Sequence, residues 1–202
     1  SPDNLLISFS GQTKVVDFGI ARAVTPAILA AATSAGTVKG KHGFIAPEYL
    51  LGFPVDHRAD LFALGVVLYR ALTRKRPFGG NNDAEISLAV INDTPRPPHE
   101  VAPDVGAALS SVVMMALAKD PKDRFESARA LRQAVEVAVV RAAENEDVAD
   151  YMNLLWPAGD EERVSLEALA KAGRADESSD PALRAFDSGT WSNPVATPAR
   201  AA

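Results

Sequence analysis

Asn4 and Asp17 are the residues of this 202-residue chain whose types and setting best suit chemistry. An amide oxygen and a carboxylate are hard ligands, the kind that hold a cation such as Mg²⁺. Asp17 follows Lys14-Val15-Val16 and precedes Phe18-Gly19. The two valines read as the end of a short buried strand, and Gly19, lacking a Cβ, can turn the chain sharply. Upstream, Leu5-Leu6-Ile7-Ser8 reads as a strand and Ser10-Gly11-Gln12 as a turn, which predicts a hairpin with Asn4 and Asp17 together at its open end. Two ligands on a flexible chain rarely meet, and a hairpin removes most of that entropic cost. Taken alone, Asp-Phe-Gly also fits an ordinary strand end and turn.

The elements that must position these residues are mainly helical. Ala59–Thr73 carries Leu61, Phe62, Leu64, Val66, Val67, Leu68, Tyr69 and Leu72 around its whole circumference, so it reads as a helix buried on all sides. Asp83–Ile91 reads as a short helix, and the prolines of Thr94-Pro95-Arg96-Pro97-Pro98 require a loop. Val105–Lys119 is amphipathic and is stopped by Pro121. Ser127 caps a further helix carrying Leu131, Val135, Ala138 and Val139. Met114 and Met115 read as core filling. Val148–Trp156 and Val164–Leu169 form two more amphipathic segments around the turn Pro157-Ala158-Gly159.

Composition narrows the function. Net charge is −5 and hydrophobic content 47%, so the chain builds a core and presents no global basic field for nucleic acid. Cysteine is absent, which removes disulfides and thiolate zinc sites and suits a reducing, cytoplasmic setting. His42, His57 and His99 are scattered and read as isolated surface residues. No apolar run reaches the length of about 18 residues that a membrane span needs.

Further landmarks follow Asp17 in order: Lys41-His42-Gly43-Phe44-Ile45-Ala46-Pro47-Glu48, then Asp60 in Arg58-Ala59-Asp60-Leu61-Phe62, then Arg124 in Asp120-Pro121-Lys122-Asp123-Arg124-Phe125. With Ser1-Pro2-Asp3-Asn4 and Asp17-Phe18-Gly19 before them, they resemble the second half of a eukaryotic-like (Hanks-type) Ser/Thr protein kinase domain of the bacterial kind. The resemblance implies a mainly α protein-kinase large (C-terminal) lobe with a small β-hairpin at its start. It covers a kinase lobe at 1–143 and then fades; by their own residue pattern 144–173 read as a helical extension and 174–202, poor in large apolar residues, as a disordered tail.

The resemblance also assigns roles. Asn4 is similar to the catalytic-loop asparagine that holds one Mg²⁺, and Asp17 with Gly19 to the motif that holds Mg²⁺ against the phosphates of ATP. Ala46-Pro47-Glu48 matches the end of the activation segment, within which Thr25, Thr33, Ser34 and Thr37 are candidate phosphorylation sites. Glu48 and Arg124 are two solvated charges on a plain reading, and a buried ion pair by resemblance. Asp60 is a helix cap on a plain reading, and by resemblance braces the catalytic loop. The pattern His-Arg-Asp-x-x-x-x-Asn sets the catalytic Asp five residues before Asn4, ahead of Ser1, so the 202 residues are expected to be a partial domain without the N-terminal lobe and inactive alone.

The implied function is transfer of the ATP γ-phosphate to Ser or Thr hydroxyls of protein substrates. Pro2 fits the Ser/Thr side of the family. A pseudokinase scaffold or an inert truncated product is the alternative, which the retention of both Asn4 and Asp17 argues against. Two positions depart from the family. Ser1 stands where a lysine is usual, and Lys41, seven residues before Glu48, stands where a threonine is usual. The expectation is an exchange, with Lys41 supplying the charge and Ser1 the hydroxyl.

Overall fold

The computed structural model describes residues 1–16 and 42–168. Asp17, Gly19, Lys41, the four candidate phosphorylation sites and the 174–202 tail lie outside the described residues. Among the described residues two compact units are present, one built from residues 1–8 and 12–144 and the other from 9–11 and 145–168.

The first unit opens with a 3₁₀ turn, Pro2–Asn4, followed by β1 (Leu5–Ile7) and β2 (Thr13–Val15), an antiparallel pair in the register Leu5↔Val15 and Ile7↔Thr13. The predicted hairpin therefore forms, but it is not buried: Leu6 and Val15 are 55% and 56% exposed. A two-stranded ribbon needs a packed layer to cover its side chains, and β-branching signals extended backbone rather than burial.

The helices follow as α1 (Pro47–Leu50), α2 (Arg58–Thr73), α3 (Asp83–Asn92), α4 (Pro98–Val101), α5 (Ala107–Ala116) and α6 (Ala128–Ala138). The centre of the lobe is α2, which packs on α5 and α4. Its residues Phe62, Val66 and Tyr69 join Phe78, Val90, Val113 and Leu117 in the main core, and the Phe62 and Phe78 rings stack with centroids 5.9 Å apart. On its other side Leu61 meets Ala116, Phe125 and Leu131 in a second cluster. Two adjacent faces are thus buried, but Leu64 is 36% exposed and Ala71 is open, so α2 is not enclosed all round. A continuous apolar circumference gives no phase from which to read the open side.

At Gly65 the backbones of α2 and α5 approach closely, and a Cβ there would lie 2.9 Å from Cβ of Ala116. A residue pair this small lets two helices touch along their axes.

Helix ends follow local chemistry. Ser127 Oγ accepts from Ala130 N–H, and Asn82 Oδ1 accepts from Glu85 N–H. Glu85 reaches back to accept from Asn81 N–H, a reciprocal arrangement related to the capping box, and that backbone bond leads the downward shift of its pKa. Pro98 opens α4, where its missing N–H costs nothing, so the proline-rich loop stops one residue earlier than its composition suggests. Met114 is half-buried, whereas Met115 is 45% exposed and does not fill the core.

The second unit contains α7 (Asn145–Leu155), a turn in which Gly159 has φ +97°, and a helical run over 161–168. Within it Arg163 lies 4.3 Å above the Phe9 ring and donates to the Asn153 side chain, the Trp156 carbonyl and Glu167. Gly11, at φ +80°, lies so close to the Asn145 carbonyl that a Cβ would overlap it. No described helix is long and apolar enough to cross a membrane.

Candidate active site and its supports

The site begins at the open end of the hairpin. The Asn4 carbonyl accepts from Val16 N–H at 2.9 Å, which extends the ladder by one pair beyond Leu5↔Val15. Asn4 is therefore set opposite the residue that precedes Asp17. Its own N–H donates to the Ser1 carbonyl, closing the 3₁₀ turn, and Ser1 Oγ donates to Asp3. The Asn4 side chain is half-buried. An amide oxygen here, with a carboxylate one residue past Val16, is a donor set suited to a hard cation. Among the described residues there is no cluster of three His, Asp or Glu side chains suited to a metal ion.

The segment entering α1 is held at two points. His42 is buried, 5% exposed, its Nδ1 3.1 Å from Ser87 Oγ and its Nε2 3.8 Å from Asp83 Oδ2. Both partners belong to the first turns of α3. His42 is thus not the surface residue expected from its polar flanks; the three-residue turn His42–Phe44 packs on α3 and carries it inside. His57 and His99 are exposed as expected, His57 Nε2 lying 2.8 Å from the Glu126 carbonyl and His99 Nδ1 2.8 Å from Ser110 Oγ.

Glu48 is the second point. Its carboxylate accepts from both terminal nitrogens of Arg124, at 2.8 and 2.7 Å, and both side chains are almost wholly buried. Arg124 has five N–H bonds to give. The remaining three go to the carbonyls of Ala118, Arg58 and Lys119, and the guanidinium lies 5.0 Å from the Phe62 ring centroid. Every polar hydrogen of this buried cation is used, which is what makes its burial tolerable. The pair joins α1, the start of α2 and the loop before α6.

Asp60 lies exposed in the first turn of α2 and does not cap it. That role passes to Asp56, whose Oδ1 accepts from Arg58 N–H at 2.8 Å. The Asp60 carboxylate has no hydrogen-bond partner among the described residues.

Beside the pair stands Lys119, half-buried, its ammonium bonded to the Val90 carbonyl and 4.1 Å from the Phe78 centroid. Burial pushes its pKa down to about 8, Asp93 opposing and Arg124 assisting the shift. Tyr69 donates to the Arg96 carbonyl, and burial raises its pKa.

Helices packed about α2 on two buried clusters, a hairpin that brings an asparagine to the residue before an Asp-Phe-Gly, and a bidentate Glu–Arg latch define a protein-kinase C-terminal lobe. Residues 1–135 match the protein kinase domain family. The chain belongs to that family, as a member of its bacterial, Hanks-type branch. It is 44% identical over 136 residues to the tyrosine-protein kinase MasK of Myxococcus xanthus, covering 67% of this chain and 21% of that protein. Against the serine/threonine-protein kinase Pkn1 of Myxococcus xanthus it is 43% identical over 142 residues, 68% of this chain and 20% of that protein. Against the serine/threonine-protein kinase PknB of Mycobacterium tuberculosis it is 32% identical over 183 residues, 91% of this chain and 28% of that protein. The chain thus spans between a fifth and under a third of the length of these relatives.

Sequence reasoning missed His42 and its partners Ser87 and Asp83, because nothing in the residue spacing links position 42 to 83 and 87. It also passed over Arg70, although a cation four residues after Val66, on the core-facing period of α2, was a visible signal.

Proposed function

We propose that this chain is the C-terminal-lobe portion of a kinase that transfers the γ-phosphate of ATP to Ser or Thr hydroxyls of proteins. The observation that carries the reading is the backbone pairing of Asn4 with Val16, which sets one candidate Mg²⁺ ligand opposite the residue before the other, Asp17. In this reading the Asn4 amide oxygen and the Asp17 carboxylate hold Mg²⁺, and Gly19 provides the turn after it. The bound Mg²⁺ would neutralise charge on the ATP phosphates. The lobe itself contributes positioning: the hairpin fixes Asn4, the Glu48–Arg124 latch fixes the end of the activation segment, and Asp60 is available to brace a catalytic loop. Thr25, Thr33, Ser34 and Thr37 are the proposed acceptors of an activating phosphate.

Ser1 and Lys41 are proposed to exchange the usual roles at the transferring phosphate. A lysine stem is long and its ammonium has three donors, so charge can arrive from the activation segment as well as from the catalytic loop. In a protein that includes the N-terminal lobe, Lys41→Ala lowers the rate of the chemical step far more than ATP affinity, and Ser1→Lys with Lys41→Thr recovers part of the loss. Unchanged turnover in Lys41→Ala refutes the exchange.

Pro2 favours Ser/Thr over Tyr as acceptor, whereas one relative is named a tyrosine kinase. Phosphoamino-acid analysis of a labelled generic substrate decides it, with phosphotyrosine as the contrary result. Residues 1–202 by themselves are expected to transfer no phosphate, because the catalytic Asp and the strand lysine are not among them. Mg²⁺-dependent labelling by this chain above an Asp17→Ala control refutes that expectation.

A further inference from the structure

The stretch from Arg70 to Asn82 contains Arg70, Arg74, Lys75 and Arg76 and no acidic residue, in a chain whose net charge is −5. Two of these cations line a shallow pocket. Arg70, half-buried in the last turn of α2, and Arg76, exposed in the loop before α3, stand over a floor of Phe44, Val66, Phe78 and Ile86. The Arg70 guanidinium is 5.5 Å from the Phe44 ring centroid.

Most other arginines of the described residues are spoken for. Arg58, Arg96, Arg124, Arg132 and Arg163 each pair with a carboxylate. Arg70 and Arg76 have neither a carboxylate nor a carbonyl partner among the described residues. Arg70 does complement the negative end of α2, but that requires no second cation and no apolar floor. An apolar dent lined by two arginines that have no carboxylate partner among the described residues is a site for an anion. The Arg70 guanidinium rests against Phe44, so less rotamer freedom is lost on binding.

We infer that this pocket takes an anionic side chain, carboxylate or phosphate, of the kinase's peptide substrate. The choice of a peptide rests on the kinase reading, since Gly43 and Phe44 of the pocket wall belong to the end of the activation segment. The charge of the pocket then selects substrates with an acidic or already phosphorylated residue near the acceptor hydroxyl.

The ¹⁵N-labelled 202-residue chain is titrated with three otherwise identical peptides bearing Glu, phosphoserine or Ala at one position. The Glu and phosphoserine peptides are expected to bind about five- to tenfold more tightly than the Ala peptide at low salt, as two exposed charge pairs allow. Shifts should centre on Gly43, Phe44 and the Arg70 Nε–H, and the advantage should shrink at high salt. The ratio of Glu to phosphoserine affinity identifies which anion is preferred. Arg70→Glu with Arg76→Glu should reverse the preference toward a Lys peptide, while Arg74→Gln should leave the pocket shifts in place. Equal binding of the Glu and Ala peptides, or shifts centred elsewhere, overturns the inference, and the wild-type titration gives that answer even if the double variant does not fold. In a protein that includes the N-terminal lobe, turnover of all three peptides at equal kcat/KM overturns the pocket and leaves the kinase reading intact. Absence of turnover with selective binding overturns the kinase reading and leaves the anion site.

Discussion

Replacing Arg124 by Ala removes one side chain and takes a donor away from four acceptor groups. The Glu48 carboxylate, 5% exposed, loses both its bonds, and the carbonyls of Ala118, Arg58 and Lys119 lose one each. Breaking a buried pair from one side costs about 3–5 kcal/mol, and the lost contact with the Phe62 ring adds to it. A domain of ordinary stability, about 5–15 kcal/mol, would keep little margin. Glu48→Gln should be milder, because the amide oxygen still accepts one bond while its NH₂ faces Arg124 donors. The double change Glu48→Met with Arg124→Met should cost less than the sum of the two single Met changes, since it strands no charge; the three carbonyls still lose their bonds from Arg124, so it does not become neutral. The assay is urea unfolding of the 202-residue chain by far-UV circular dichroism, with the m-value checked for a common unfolded state. A loss below about 1 kcal/mol for Arg124→Ala, or additivity of the two Met changes within about 0.5 kcal/mol, refutes the argument that the latch is held by mutual desolvation.

Other parts of the lobe give separate tests. Gly65→Ala places a Cβ 2.9 Å from Cβ of Ala116 and should destabilise by about 1–3 kcal/mol despite better helix propensity, with Ala116→Gly restoring much of it in thermal unfolding. Ser127→Ala removes the bond to Ala130 N–H and should cost about 1 kcal/mol by the same measurement, with no change in m-value. Lys119 has a pKa lowered to about 8 from 10.5, so between these values the unfolded chain binds more protons and stability rises with pH. The deficit is fully present below pH 8 and is relieved toward pH 10.5; Lys119→Met should flatten that slope, and equal slopes for the two proteins refute the assignment.

The Ser127 cap and the existence of the main helices were legible in the sequence because each is decided within a few residues; the cap of α2 was not, since Asp60 stays exposed and Asp56 bonds the first N–H. Ser127 announces α6, and the run of prolines before α4 marks a loop, although Pro98 itself opens that helix. The hairpin was legible for the same reason: Gly11 supplies the positive φ its turn requires, and the strands on either side are extended by their composition. What local chemistry does not encode is which side of an element meets another. The exposed valine of β2, the open side of α2 at Leu64 and the buried His42 are all of this kind. His42 is the clearest case, since its burial depends on Ser87 and Asp83, which share no pattern with it and come near only because the turn before α1 packs on α3. Glu48 and Arg124, 76 residues apart, were paired only through resemblance to a family, because a single sequence does not distinguish a buried carboxylate from a solvated one. The unpaired cations in the pocket show the same limit from the opposite side. Charge density from Arg70 to Arg76 is written in the sequence, but that two of these side chains stand over Phe44, Val66 and Ile86 is a property of three elements meeting. Sites of that kind arise where packing leaves charge without a partner, so they are found by accounting for donors and acceptors in the folded chain rather than by motif.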